Sequence, residues 1–267
     1  MKRLPSSRWF AWPPLLYLAV FFLVPVGIVT SYSVFERDFY GQVVHRFSLD
    51  GWRQATSAIT LKILTRSLVI AFAVTFLCLA VGYPCAMTIA RLTGPLRQLL
   101  NLLITFPLVT AQLLRIYGWL NLLPLEWRGT MWCVSLVLAG NYLPFMLLPL
   151  VRSFERADPN LLHAAMDLGA TPWQAFWRVT VPVTRPGMWA GCALVFIPVS
   201  GEYLVPHFVG EGKVMVLGTL IVQQFMERRN WPYASAAAIW LLAVVAVPVI
   251  VSLASRQRLA EGYAESS

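Results

Sequence analysis

Six apolar runs, at about 12–34, 67–90, 98–122, 131–151, 188–209 and 233–254, constrain this chain more than any other feature of its sequence. A helix crosses the roughly 30 Å hydrocarbon core of a bilayer in about 20 residues, so each run predicts a membrane span. The runs are continuous rather than alternating, which excludes the strands of a membrane barrel and leaves helices, whose backbone groups are satisfied internally. The expected fold is therefore an all-α polytopic membrane protein of about six transmembrane helices. Composition agrees: charged residues make up 12% of the chain, against about 25% in a soluble domain.

The predicted organisation is one transmembrane domain over 12–254, between a tail at 1–11 and a second at 255–267. Lys2, Arg3 and Arg8 precede the first apolar run as they would in a signal peptide. That run is too long for a signal peptide and has no Ala-x-Ala cleavage site, so it is expected to remain as the first span. The acid-free N-terminal tail, with Arg256 and Arg258 after the last run, favours both termini inside, although the basic residues otherwise divide almost evenly between the two sides. The net charge of +9 comes from residues scattered at the ends of apolar runs. They form no basic stripe, so nucleic acid is not an expected partner.

Pro25, Gly82, Pro84, Pro107, Pro144, Pro198, Gly201 and Pro248 fall inside runs and predict kinks facing the bundle interior. Cys78, Cys85, Cys133 and Cys192 lie in apolar runs without metal-ligand spacing and read as small buried hydrophobes. No metal site or proton relay is expected, since His207 stands without ligand partners, and His45 carries no motif.

Residues 153–187 form a polar and aromatic insert far longer than a connector needs. Asp158 and Pro159 are an N-cap acceptor followed by proline at the first helical position. Gly169 is placed to end that first helix as a left-handed residue. Thr171 and Pro172 repeat the start signal, and Pro182 and Pro186 are expected to stop the second helix. Two short helices hinged at Gly169 can lie flat on the bilayer with Trp173, Phe176 and Trp177 as anchors, pack under their own bundle, or dock a soluble partner.

The stretch AAMDLGATPWQAFWRVTVP resembles the conserved cytoplasmic loop of permease subunits of binding-protein-dependent ABC importers, through Ala164, Ala165, Gly169, Val181 and Pro182. His163 stands where that family most often has glutamate. Further stretches beginning at Arg66, Arg115, Tyr142, Phe196 and Gln223 are similar to the polyamine (spermidine/putrescine) branch, and the likeness runs from about residue 12 to 254. The segment Leu120–Val134 is shorter than in comparable family members.

This resemblance implies a multi-pass protein of the bacterial cytoplasmic (inner) membrane, carrying a small cation such as putrescine or spermidine. It implies a cytoplasmic ABC ATPase dimer, a second permease subunit and an extracytoplasmic solute-binding protein as partners, within membrane lipid. On this likeness the ATPase-coupling residues are His163, Ala164, Ala165, Asp167, Gly169, Phe176 and Pro182. The chain has no Gly-x-x-x-x-Gly-Lys-[Ser/Thr] sequence. It is expected to be no enzyme and to carry no cofactor, with ATP and Mg used by the partner.

Glu202 places a carboxylate in the fifth run, beside Gly201 and between Pro198 and Pro206. An acid at a span centre costs about 2.5–3.5 kcal/mol on insertion scales, so such a residue normally faces a cavity or a cation. It is the leading candidate for the substrate path, with Tyr203, Tyr117 and Trp119 able to add cation–π attraction. The competing roles are, for Glu202, a salt bridge to Arg115 or a position in the outer water rather than the bilayer, and, for the aromatics, interfacial anchoring. A self-sufficient ion-coupled transporter or channel is the main alternative class. Neither His-Glu-x-x-His nor Gly-x-Ser-x-Gly occurs, which weighs against a membrane enzyme.

Overall fold

The computed structural model describes residues 8–158 and 160–246. Helix α1 (Arg8–Tyr32) begins inside the stretch read as the N-terminal tail. Pro159, Pro248, the end of the sixth run and the tail 255–267 lie outside the described residues, as do residues 1–7.

The first run is α1, and the second is α3 (Ala58–Arg91), which extends well upstream of the run itself. The third run is two helices, α4 (Pro95–Val109) and α5 (Gln112–Leu122), bent by 104°. The fourth is α6 (Met131–Arg156), and a short 3-10 turn at Leu125–Trp127 precedes it. The fifth is not one helix: α9 (Val181–Ser200) ends at Gly201, and α10 (Leu204–Val209) follows after a break. After α10 come α11 (Leu217–Met226), which no apolar run predicted, and α12 (Trp231–Ala246), the described part of the sixth run. By length and composition α1, α3 and α6 can each cross a membrane, and the bent α4–α5 pair makes a fourth candidate among the described residues.

Both breaks fall three residues after a proline. Gly201 N–H donates to the Pro198 carbonyl at 3.2 Å, and the Thr110 hydroxyl donates to the Pro107 carbonyl at 3.1 Å. At Gly201 the backbone thus closes on the residue three back, whereas at Thr110 the hydroxyl covers the Pro107 carbonyl and the backbone N–H still reaches Phe106; both occupy carbonyls left open at a helix end.

The chain divides into two compact units. One takes in residues up to Lys62 and from Leu220 onward. In it a two-stranded antiparallel hairpin, β1 (Phe35–Arg37) and β2 (Val43–Phe47), follows α1, and the short helix α2 (Asp50–Ala55) follows the hairpin. His45 belongs to this hairpin, with its ring 5.0 Å from Phe35. Gly51 packs on the Pro232 backbone, where an added Cβ would sit 2.7 Å from the carbonyl oxygen. The Thr60 and Tyr233 hydroxyls are 2.6 Å apart, and the Arg37 guanidinium donates to the Arg228 carbonyl at 2.8 Å.

The other unit, Ile63–Thr219, holds the core. Ala71, Val74, Val134, Val137, Met146, Val195, Val205 and Val209 are fully buried in it. Helices α6 and α9 pack against each other along much of their length. Gly187 and Gly191, one turn apart on α9, meet Ser153, Pro149 and Met146 of α6. Small residues at this spacing let two membrane helices approach closely and gain van der Waals contact where apolar lipid supplies no hydrophobic drive.

Cys78 and Cys133 are buried and Cys192 is half-buried, all three as free thiols. Cys85 is exposed, a correction to its reading as a buried residue. An apolar run does not separate core from lipid-facing positions, since both are apolar in a membrane helix.

Candidate translocation site and coupling loop

The insert folds as two helices hinged at Gly169. The first, α7 (Asn160–Asp167), ends with Gly169 at φ +88°, a left-handed conformation that L side chains rarely adopt. Gly169 N–H donates to Met166 O at 2.9 Å, and Ala170 N–H to Ala165 O at 3.1 Å. Together these are the two bonds of a Schellman cap, which occupies carbonyls otherwise left open at the helix end.

The second, α8 (Pro172–Ala175), starts in a capping box: the Thr171 hydroxyl accepts from Gln174 N–H, and the Gln174 side chain accepts from Thr171 N–H at 3.1 Å. This reciprocal pair satisfies two N-terminal donors at once. Gln174 completes a start signal that Thr171 and Pro172 only began.

Pro182 and Pro186 do not stop the second helix. The chain runs on through a π-helical stretch, Phe176–Thr180, directly into α9. Pro182 directly follows the π-helical stretch, where the regular bonding ladder is already interrupted, and the close packing of α9 on α6 holds the helix through Pro186. Helix α8 is therefore continuous with α9.

Of the residues matched to the family loop, Ala164, Asp167 and Gly169 are exposed, Ala165 is half-buried, and His163 lies in α7 with its side chain outside the described residues. Leu168 is 90% exposed and Trp173 70% exposed, large apolar groups beside the hinge with little cover in the chain itself. Phe176 points the other way. Its ring lies 5.8 Å from Tyr83 of α3, and Tyr83 in turn meets Phe154 of α6 at 5.1 Å and the Thr184 hydroxyl of α9 at 2.9 Å. The loop thereby meets α3 through Phe176, and Tyr83 of α3 contacts α6 and α9 in turn.

Glu202 sits in the α9–α10 break with 9% of its surface exposed. Its Oε2 accepts from the Tyr142 hydroxyl of α6 at 2.6 Å and from Gln112 Nε2, at the start of α5, at 2.9 Å. Its Oε1 accepts from Leu204 N–H at 3.0 Å. The expected alternative of a Glu202–Arg115 salt bridge does not form. Arg115 instead donates through Nη1 to the Asn141 carbonyl at 3.2 Å. Its own Nε and the amide Nδ2 of Asn141, a residue 3% exposed, are buried without a hydrogen-bond partner.

The aromatic candidates separate. Tyr117 is exposed, with its ring 5.9 Å from Phe208 of α10. Trp119 is half-buried against Gly140, where an added Cβ would lie 2.5 Å from its Cζ2. Tyr203, 38% exposed, stands next to Glu202 in the break. Sequence reasoning missed two buried amides, Gln112, which donates to the acid, and Asn141, which does not, and it missed the acid's other side-chain partner, Tyr142. A signal existed for the first two, since a lone amide within an apolar run needs a buried partner as Glu202 does. The arrangement is a buried carboxyl group at a junction of three helical segments, with three hydrogen-bond donors converging on it.

Residues 79–261 match the family described as binding-protein-dependent transport system inner membrane component. The chain is 34% identical over 253 residues to the spermidine/putrescine transport system permease protein PotB of Escherichia coli, covering 88% of this chain and 92% of that one. It is 33% identical to PotB of Haemophilus influenzae, covering 88% of each. It is also 32% identical to the molybdenum transport system permease protein ModB of Mycobacterium bovis, over 77% of this chain and 83% of that one. In fold it is similar to a chain of a bacterial ABC transporter involved in the import of the acidic polysaccharide alginate, with a TM-score of 0.68 at 15% identity, covering 97% of this chain and 99% of that one. The chain therefore belongs to the inner membrane components of binding-protein-dependent transport systems, the family that its loop and its ordered motifs resemble.

Proposed function

We propose that this chain is the permease subunit of an ATP-driven importer for a small cationic solute, a polyamine such as putrescine or spermidine, with Glu202 lining the path. The observation that carries the reading is the Glu202 carboxylate, 9% exposed and seated in a helix break of an apolar bundle. Acids in that position normally face a cavity or a cation. The similarity to spermidine/putrescine permeases over most of the chain supports the choice of solute. Tyr203, Tyr117 and Trp119 offer ring faces along the same route.

The loop 153–187 is the docking element for a separate cytoplasmic ATPase dimer, which binds and hydrolyses ATP with Mg. His163, Ala164, Ala165, Asp167 and Gly169 form the docking face, while Phe176 and Pro182 join it to the bundle. Stiff, capped helices transmit a push better than a flexible connector, and the contacts of Tyr83 with Phe176 and Thr184 carry that push to α3 and α9. A second, different permease subunit completes the path, and an extracytoplasmic binding protein delivers the solute. Both termini lie on the cytoplasmic side of the inner membrane.

The test is uptake of radiolabelled spermidine, with the complex recovered through a tag on this chain. A co-purifying ATPase and reduced uptake by Glu202→Gln at unchanged assembly are the expected results. Wild-type uptake by Glu202→Gln would remove Glu202 from the path. Transport by this chain alone, driven by an ion gradient, would replace the importer reading with an ion-coupled transporter.

A further inference from the structure

We propose that Tyr142 and Gln112 are positioning residues that latch the two helix breaks together through Glu202, and that a primary ammonium group releases the latch by taking over the carboxylate. The inference rests on the reading of Glu202 as a path residue. The geometry is that of a tie between three separate pieces of chain. Gln112 opens α5 directly after the 104° bend, Tyr142 stands in mid-α6, and Glu202 occupies the gap between α9 and α10. The breaks at positions 110–111 and 201–203 leave helix ends that no continuous backbone ladder joins. Side-chain bonds to one carboxylate bridge them.

Donor counting gives the release. A carboxylate offers about four acceptor positions, and three are filled by Tyr142, Gln112 and the Leu204 N–H. An ammonium group brings three donors of its own. It therefore engages Glu202 fully only by displacing protein donors, and the side-chain donors belong to the elements across the breaks. Two unused buried donors adjoin the latch in sequence: Asn141 Nδ2, beside Tyr142, and Arg115 Nε, one turn after Gln112. A shift of α5 against α6 changes which donors the carboxylate holds, so the junction has the parts of a two-position element. The latch thus couples the arrival of charge to the freedom of α5 and α10.

The experiment is hydrogen exchange by mass spectrometry on the intact importer, reading peptides that cover α5 and the segment from Pro198 to Val209. Tyr142→Phe and Gln112→Leu are each expected to speed exchange there on the order of tenfold, the effect of losing one bond to a charged group. Spermidine added to the wild type is expected to do the same, and uncharged 1,4-butanediol to do nothing. Glu202→Gln keeps one oxygen for Tyr142 and Gln112 but turns an amide NH2 toward Leu204 N–H and carries no charge, so its exchange is expected to be faster than in the wild type and not to change with spermidine. Wild-type exchange in both latch variants overturns the latch even if Glu202→Gln imports poorly, which leaves the path reading standing. Fast exchange in the variants with no response of the wild type to spermidine overturns the release. Uptake by Glu202→Gln, measured separately, reports on the path itself. If Tyr142→Phe fails to assemble, Gln112→Leu and the wild-type response to spermidine still decide the matter.

Discussion

Gly187 of α9 lies against Ser153 of α6 so closely that a methyl group at position 187 would fall 2.4 Å from Ser153 Cβ and 2.7 Å from the Pro149 carbonyl oxygen. One of these neighbours is backbone, which cannot rotate away. Gly187→Val is therefore expected to force α6 and α9 apart and to destabilise the bundle by about 1–3 kcal/mol, the usual cost of overpacking. Thermal unfolding in detergent, followed by tryptophan fluorescence, measures the loss. An unchanged melting profile would show that this contact is not tight in the membrane protein as purified.

At Gly169 the constraint is different, because nothing lies within 4 Å of an added Cβ and the backbone is at φ +88°. Gly169→Val is expected to strain the hinge by about 1–2 kcal/mol through its conformation alone. Gly169→Asn is expected to cost less, since asparagine tolerates the left-handed region. If the loop docks an ATPase, ATPase recovered with the complex should follow the order glycine, asparagine, valine. Equal recovery from all three would separate the hinge from docking.

The capping box predicts a graded effect at the start of the second helix. Thr171→Ala removes the acceptor for Gln174 N–H and is expected to cost about 1 kcal/mol. Thr171→Ser keeps the hydroxyl and should stay near wild type. Exchange protection of the 173–180 amides gives the comparison. Equal protection in the alanine and serine variants would mean that the contact of Phe176 with Tyr83, not the cap, holds the segment.

Trp119 and Gly140 should be strongly coupled. Gly140→Ala places a Cβ 2.5 Å from the Trp119 ring, and Trp119→Leu removes that ring. Each single substitution is expected to lower the melting temperature. The double variant should lose less than the sum, with a coupling of about 0.5–3 kcal/mol as for residues in contact. Additive losses would show that the ring turns aside freely.

What was legible in the sequence was local. The length of an apolar run reports the thickness of a bilayer, so α1, α3 and α6 were readable as spans. Gly169, Thr171 and Pro172 marked the hinge and the second helix start because caps are set by a few adjacent residues. The second helix was misjudged at Pro182 and Pro186, where packing on α6 overrode a local stop signal. The site was legible only at its acid. Glu202 announced itself by standing in an apolar run, but its partners Tyr142 and Gln112 lie 60 and 90 positions earlier in the chain. Only the tertiary structure decided which donors meet the carboxylate, that Arg115 turns to the Asn141 carbonyl instead, and that the third and fifth runs break where they do. The physical reason is range. Hydrophobic length and helix capping act within a few turns of one segment, whereas satisfying a buried charge depends on which segments the packed bundle brings together.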